Sequence, residues 1–137
     1  MLQFIDINAH NYKDISECLK SENYNLIHFN EIKDDFKAIY DQNEFIGVVS
    51  LIFGKKCGIV NEIFLKAEFR NSVYFKYIIY YIFGEFQKRD IKVNIFQINI
   101  NDLRSINFHM KRGAKATDYK INFISYIKDY VNKLEKK

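Results

Sequence analysis

Three residues of this sequence pair a reactive side chain with a context that could present it: Glu62, Arg70 and His109. Glu62 stands in the apolar run from Ile59 to Lys66, which reads as a strand, and a carboxylate there can take up a proton. Arg70 occupies the short polar turn between that strand and a long aromatic-rich helical run. A strand that feeds directly into a helix leaves backbone N–H groups unpaired at the helix N-terminus, a ready anion site. His109 lies on a second helical run that ends in Lys111-Arg112-Gly113-Ala114, and an imidazole titrates near neutral pH. Each residue also has a plain structural reading. Glu62 could be a half-exposed strand carboxylate paired with a lysine, Arg70 a surface charge, and His109 a satisfied helix histidine.

The elements that must position these groups follow from periodicity and turn chemistry. Leu2 to Ile7 alternates as a first strand, and Asn11 or Asp14 could cap a short helix through about Lys20. Ser21 to Asp35 is the least legible stretch, with Leu26, Ile27, Phe29 and Ile32 suggesting a second short helix. Phe36–Tyr40 and Phe45–Phe53 read as a hairpin around Asp41-Gln42-Asn43-Glu44, and the Gly54 to Gly58 connection leads to the strand carrying Glu62. From Tyr74 to Arg89 apolar residues are too dense to alternate, which predicts a mostly buried helix closed by Lys88 and Arg89. Lys92–Ile100 returns to strand. Asp102 is a candidate N-cap for a helix from Leu103 to Arg112, with Gly113 as its C′ residue. Lys115–Ile124 reads as the last strand, and Ile124, Ile127, Val131 and Leu134 space as a terminal helix. A meander followed by strand, helix, strand, helix predicts an α+β fold, its mixed, mostly antiparallel sheet including one parallel crossover.

The bulk properties narrow the function classes. A chain of 137 residues with 48% hydrophobic and 17% aromatic content fits a single domain, 1–137, with a substantial core. The formal net charge of +4 suits an anionic ligand, yet part of it lies in Lys133 to Lys137 and no basic face clusters as nucleic-acid binding requires. Two distant cysteines give neither a disulfide framework nor a metal site. The N-terminus lacks the pattern of a signal peptide, and no segment reaches the roughly 18 apolar residues of a membrane span, so the expectation is a cytoplasmic protein without membrane partners.

The stretch Phe36 to Ala114 resembles the GNAT acyltransferase superfamily, whose members move an acyl group from coenzyme A to an amine. Ile63-Phe64-Leu65-Lys66-Ala67-Glu68-Phe69-Arg70 is similar to the family's strand and the arginine of its R-x-x-G-x-G/A motif. Ser105-Ile106-Asn107-Phe108-His109-Met110-Lys111-Arg112-Gly113-Ala114 is similar to its later helix and turn, at the family's usual separation. The resemblance implies a GNAT-like sheet with helices on both faces, acetyl-CoA as acyl donor, and a small-molecule or protein amine as acceptor. It implies that Phe64 and Leu65 offer main-chain groups to the thioester. Arg70, Asn71, Ser72, Val73, Tyr74 and Phe75 would hold the pyrophosphate, and Asn101 or Asp102 would fill the family's asparagine position. Glu62 would deprotonate the amine, His109 would stand where many members carry an acidic tyrosine, and Tyr119 would line the acceptor site. The chain departs from the pattern at Val73 and Phe75, which replace both motif glycines, and this raises the alternative of a catalytically inactive binding or regulatory module. The aromatic surface of the long helix and the apolar terminal helix would suit a homodimer.

Overall fold

The structure is a computed structural model that describes residues 1–24, 35–97, 103–117 and 122–136. Its elements run β1 (Leu2–Asp6), α1 (Tyr12–Lys20), β2 (Phe36–Asp41), β3 (Glu44–Phe53), β4 (Cys57–Leu65), a short 3-10 turn (Ala67–Phe69), α2 (Ser72–Lys88), β5 (Val93–Gln97), α3 (Leu103–Met110), β6 (Lys115–Thr117), β7 (Asn122–Tyr126) and α4 (Ile127–Glu135). The strands form one sheet in the order β1-β2-β3-β4-β5-β7-β6. Among the described residues only β4 and β5 pair in parallel, joined through α2, as the helical run between two strand patterns predicts.

Local chemistry explains why the chain turns where it does. Gln42 and Asn43 both take positive φ, 50° and 68°, the requirement of a two-residue hairpin turn whose twist matches its strands. Helix α3 ends as expected at Gly113, φ +94°, with Ala114 N–H donating to the His109 carbonyl and Gly113 N–H to that of Met110. Asp90 closes α2 in the same manner, so Ile91 N–H reaches the Phe86 carbonyl. Asn11 does sit at the N-cap of α1, but its side-chain NH₂ turns back to donate to the Asp6 carbonyl.

Two β-bulges set which side chains face which layer. Ile39 opposes Gly47 while Tyr40 opposes Phe45, so Ile46 is an extra residue in β3. Ser50 opposes Glu62 while Leu51 opposes Val60, so Asn61 is an extra residue in β4. Residues three apart thereby share a face: Ile46 with Val49, and Val60 with Ile63, all packed in the layer that contains α2 and α4. The opposite face buries Ile15 and Leu19 of α1 against Phe36, Ala38, Val48 and Phe64. Helices therefore cover both faces of the sheet. Gly47 is required where it stands, since a Cβ there would lie 2.0 Å from the Phe64 carbonyl oxygen.

Two expectations are corrected. Ile124 lies in β7, opposite Ile95, and the terminal helix begins only at Ile127. Lys115–Ile124 is not one strand: β6 pairs antiparallel with β7, with Thr117 opposite Asn122, so the chain reverses between them. The suggested helix within Ser21 to Asp35 lies for the most part outside the described residues. No helix among the described residues is long and apolar enough to cross a membrane.

Candidate active site

The parallel ladder between β4 and β5 runs from Cys57↔Val93 to Val60↔Phe96, and the bulge at Asn61 follows at once. Beyond that point a cavity of ≈ 550 Å³ is walled by Val60 to Leu65 of β4, by Arg70 to Ser72 and Phe75 at the start of α2, and by Phe96, Arg104, Ser105, Phe108 and His109. Strand β4, the strand-to-helix turn and α3 thus converge on one cleft. It brings together Glu62, Phe64, Leu65, Arg70, Asn71, Ser72, Phe75 and His109 from the set singled out in the sequence. Val73 and Tyr74 are not among its lining residues. Asn101, Asp102 and Tyr119 lie outside the described residues.

Glu62 is half-buried, and burial pushes its carboxyl from the usual 4.5 up to about 7. Its Oε1 has no hydrogen-bond partner among the described residues, and no lysine or arginine of these pairs with it. The lysine-paired reading of Glu62 therefore has no support in the geometry. Ser50 Oγ and Asn61 Nδ2, on the directly opposing residue and on the bulge, are likewise buried without partners. A carboxyl held this way exchanges its proton near neutral pH, which is what a general base needs.

His109 is 2% exposed and packed in an aromatic cage. Its ring stacks on Phe96 at 3.8 Å between centroids, with Phe75 and Phe108 each 5.6 Å away. Nδ1 lies 2.5 Å from the Tyr130 hydroxyl of α4, and burial raises that phenol above its ordinary range. Tyr130 therefore stays neutral, and this contact orients the imidazole at the cavity wall.

The strand-to-helix turn is built differently from the glycine-rich pattern. Asn71 is a true N-cap: its Oδ1 accepts from Val73 N–H at 3.1 Å and from Tyr74 N–H at 3.2 Å. Val73 points outward, 60% exposed. The Tyr74 hydroxyl donates to Asp41 Oδ2 at 2.7 Å and ties α2 to the β2–β3 hairpin. Phe75 turns its ring to the cavity and meets Phe108 edge-on at 4.7 Å. Arg70 is exposed, donates from Nε to the Leu65 carbonyl at 2.6 Å and sits over the Phe64 ring. The Leu65 carbonyl is therefore engaged, and Arg70 keeps its terminal nitrogens for other acceptors.

Sequence reasoning passed over Arg104, Ser105 and Phe108 as site residues. Helical spacing was the available signal, since Ser105 stands four residues before His109 and Arg104 four before Phe108. No group of three or more metal-ligating side chains occurs among the described residues.

No model of a known protein family matches the chain, and no curated protein sequence does. Solved structures do. Naa50 from Arabidopsis thaliana, in complex with the bisubstrate analogue CoA-Ac-MVNAL, superposes with a TM-score of 0.69 at 14% identity, over 90% of this chain and 95% of that one. The PaiA N-acetyltransferase of Thermoplasma acidophilum, in complex with coenzyme A, gives 0.65 at 14% identity over 90% and 96%. The aminoglycoside 6'-N-acetyltransferase of Enterococcus faecium gives 0.67 at 15% identity over 93% and 97%. The fold is that of the GNAT N-acetyltransferases.

Proposed function

We propose that this chain is an acyl-CoA-dependent N-acyltransferase that moves an acetyl or other acyl group to a primary amine of a small molecule or protein. The observation that carries this reading is Glu62: a carboxyl with no cationic partner among the described residues, set in the cleft beside β4, with its pKa pushed up to about 7. In this reading Glu62 takes the proton from the acceptor ammonium, directly or through water, and His109 returns a proton to the departing thiolate. The donor, when bound, supplies the thioester. The backbone of Phe64 and Leu65 aligns it, and the Phe75, Phe96 and Phe108 rings keep water from the reacting end. Structural neighbours that act on amines of several kinds support the reaction class and leave the acceptor open.

Thermal unfolding with and without acetyl-CoA tests this. Ligand at about a hundred times its dissociation constant adds roughly 2.7 kcal/mol of stability. An upward shift opens an acceptor screen, and turnover that Glu62→Gln abolishes would establish the base. A second reading is favoured by Val73 and Phe75 in place of glycines and by the internally capped α2. In it the chain is a GNAT-like module that binds a partner without catalysis. It predicts no shift with millimolar acetyl-CoA.

A further inference from the structure

The anion-binding end of the cleft contains an inconsistency that its side chains resolve. In a helix whose N-terminus holds a phosphate, the backbone donors of the first turn point at the ligand. Here two of them, Val73 N–H and Tyr74 N–H, already donate to Asn71 Oδ1. The close backbone approach that glycine would allow is blocked as well, by the Phe75 ring packed on Phe108. A diphosphate seated on these amides would have to displace the Asn71 cap.

Two guanidinium groups face the same cavity from different walls. Arg70 comes from the turn after β4 and Arg104 from the first turn of α3. The Nε bond from Arg70 to Leu65 fixes its planar fork and leaves four N–H donors on the terminal nitrogens. Arg104 is exposed, and it makes no ion pair or hydrogen bond with any described residue. A guanidinium fork matches phosphate oxygens in a bidentate way that an ammonium does not.

We infer that Arg70 and Arg104 form a two-arginine clamp that holds the diphosphate of the acyl donor through side-chain N–H groups, in place of the backbone amides of α2. The inference rests on the acyl-CoA reading above and adds Arg104 as a binding residue. Because the clamp works by charge, donor affinity falls with salt more steeply than an amide cradle would allow.

Calorimetry on the full chain tests it, with coenzyme A, inorganic pyrophosphate and pantetheine, which lacks the diphosphate, as probes. Arg104→Ala is expected to weaken coenzyme A and pyrophosphate about tenfold or more and to leave pantetheine unchanged. Arg104→Lys should fall between, because it keeps the charge and loses the fork. Asn71→Ala, which frees the two amides, should not weaken coenzyme A. Circular dichroism on each variant checks the fold, which an exposed Arg104 does not support. Coenzyme A binding that Arg104→Ala changes by less than twofold overturns the clamp and leaves the acyltransferase reading standing. Wild-type protein that binds neither coenzyme A nor pyrophosphate overturns both.

Discussion

Replacing Glu62 by glutamine should stabilise the protein, and only above a particular pH. Burial moves this carboxyl from 4.5 to about 7. At about 1.36 kcal/mol per pKa unit, a shift of roughly 2.5 units corresponds to about 3.4 kcal/mol if the site were sealed. Glu62 lines an open cleft, so solvent screening reduces this to about 1–2 kcal/mol. The sign follows from proton uptake. Between about pH 4.5 and 7 the folded chain keeps a proton on Glu62 that the unfolded chain has lost. The stability linked to that proton is fully present below pH 4.5 and disappears as pH rises through 7. Glutamine does not ionise, so Glu62→Gln escapes the loss. Urea unfolding at half-unit steps from pH 4.5 to 8.5 gives two stability curves, and groups common to both proteins cancel in their difference. The gap should widen by about 1–2 kcal/mol in favour of the variant between the two ends, or roughly 3–6 °C in Tm for a chain of this size. A gap that stays constant across this range would refute the argument, because it would place Glu62 in water with an ordinary carboxyl pKa.

Other perturbations follow from the same geometry. Tyr130→Phe removes the hydroxyl that meets the buried His109 Nδ1, and urea titration should find a loss of about 1–3 kcal/mol. Gly47→Ala forces a Cβ to 2.0 Å from the Phe64 carbonyl, a backbone atom that cannot swing aside, so β3 and β4 must separate. It should cost about 1–3 kcal/mol or more, with faster hydrogen exchange at Phe64 and Leu65 than in wild type. Unchanged exchange there would show that the strands had not moved.

The fold was legible wherever one residue's chemistry decides a local structure. Gln42-Asn43 announces a tight hairpin, Gly113 a helix end, and the dense apolar run after Asn71 a buried helix, and each is found where the pattern puts it. Period alone does not divide the last strand, because the sequence from Asp118 to Phe123 alternates polar and apolar residues between β6 and β7. The bulges were hidden for a related reason. A period-2 reading assigns Ile46 and Val49, or Val60 and Ile63, to opposite faces, and only an extra residue in the ladder brings each pair together.

The site shows the same division between identity and environment. That Glu62 is a carboxylate on an apolar strand can be read directly from the chain. Its affinity for a proton cannot, because that depends on the Asn61 bulge, which sets it across from a buried Ser50 and at the edge of the cleft. Asn71 is the converse case. Its position fits a donor-binding motif, yet asparagine immediately before a helical run is first of all an N-cap, and that simpler chemistry is what the geometry contains. In the acyl-CoA reading proposed above, the Asn71 cap and the presence of Val73 and Phe75 where the motif has glycines belong together. Amides that are bonded to Asn71 need no glycines to expose them, and in that reading the charge for a phosphate comes from side chains. Arg70 and Arg104 are the two guanidinium groups that line this cleft among the described residues.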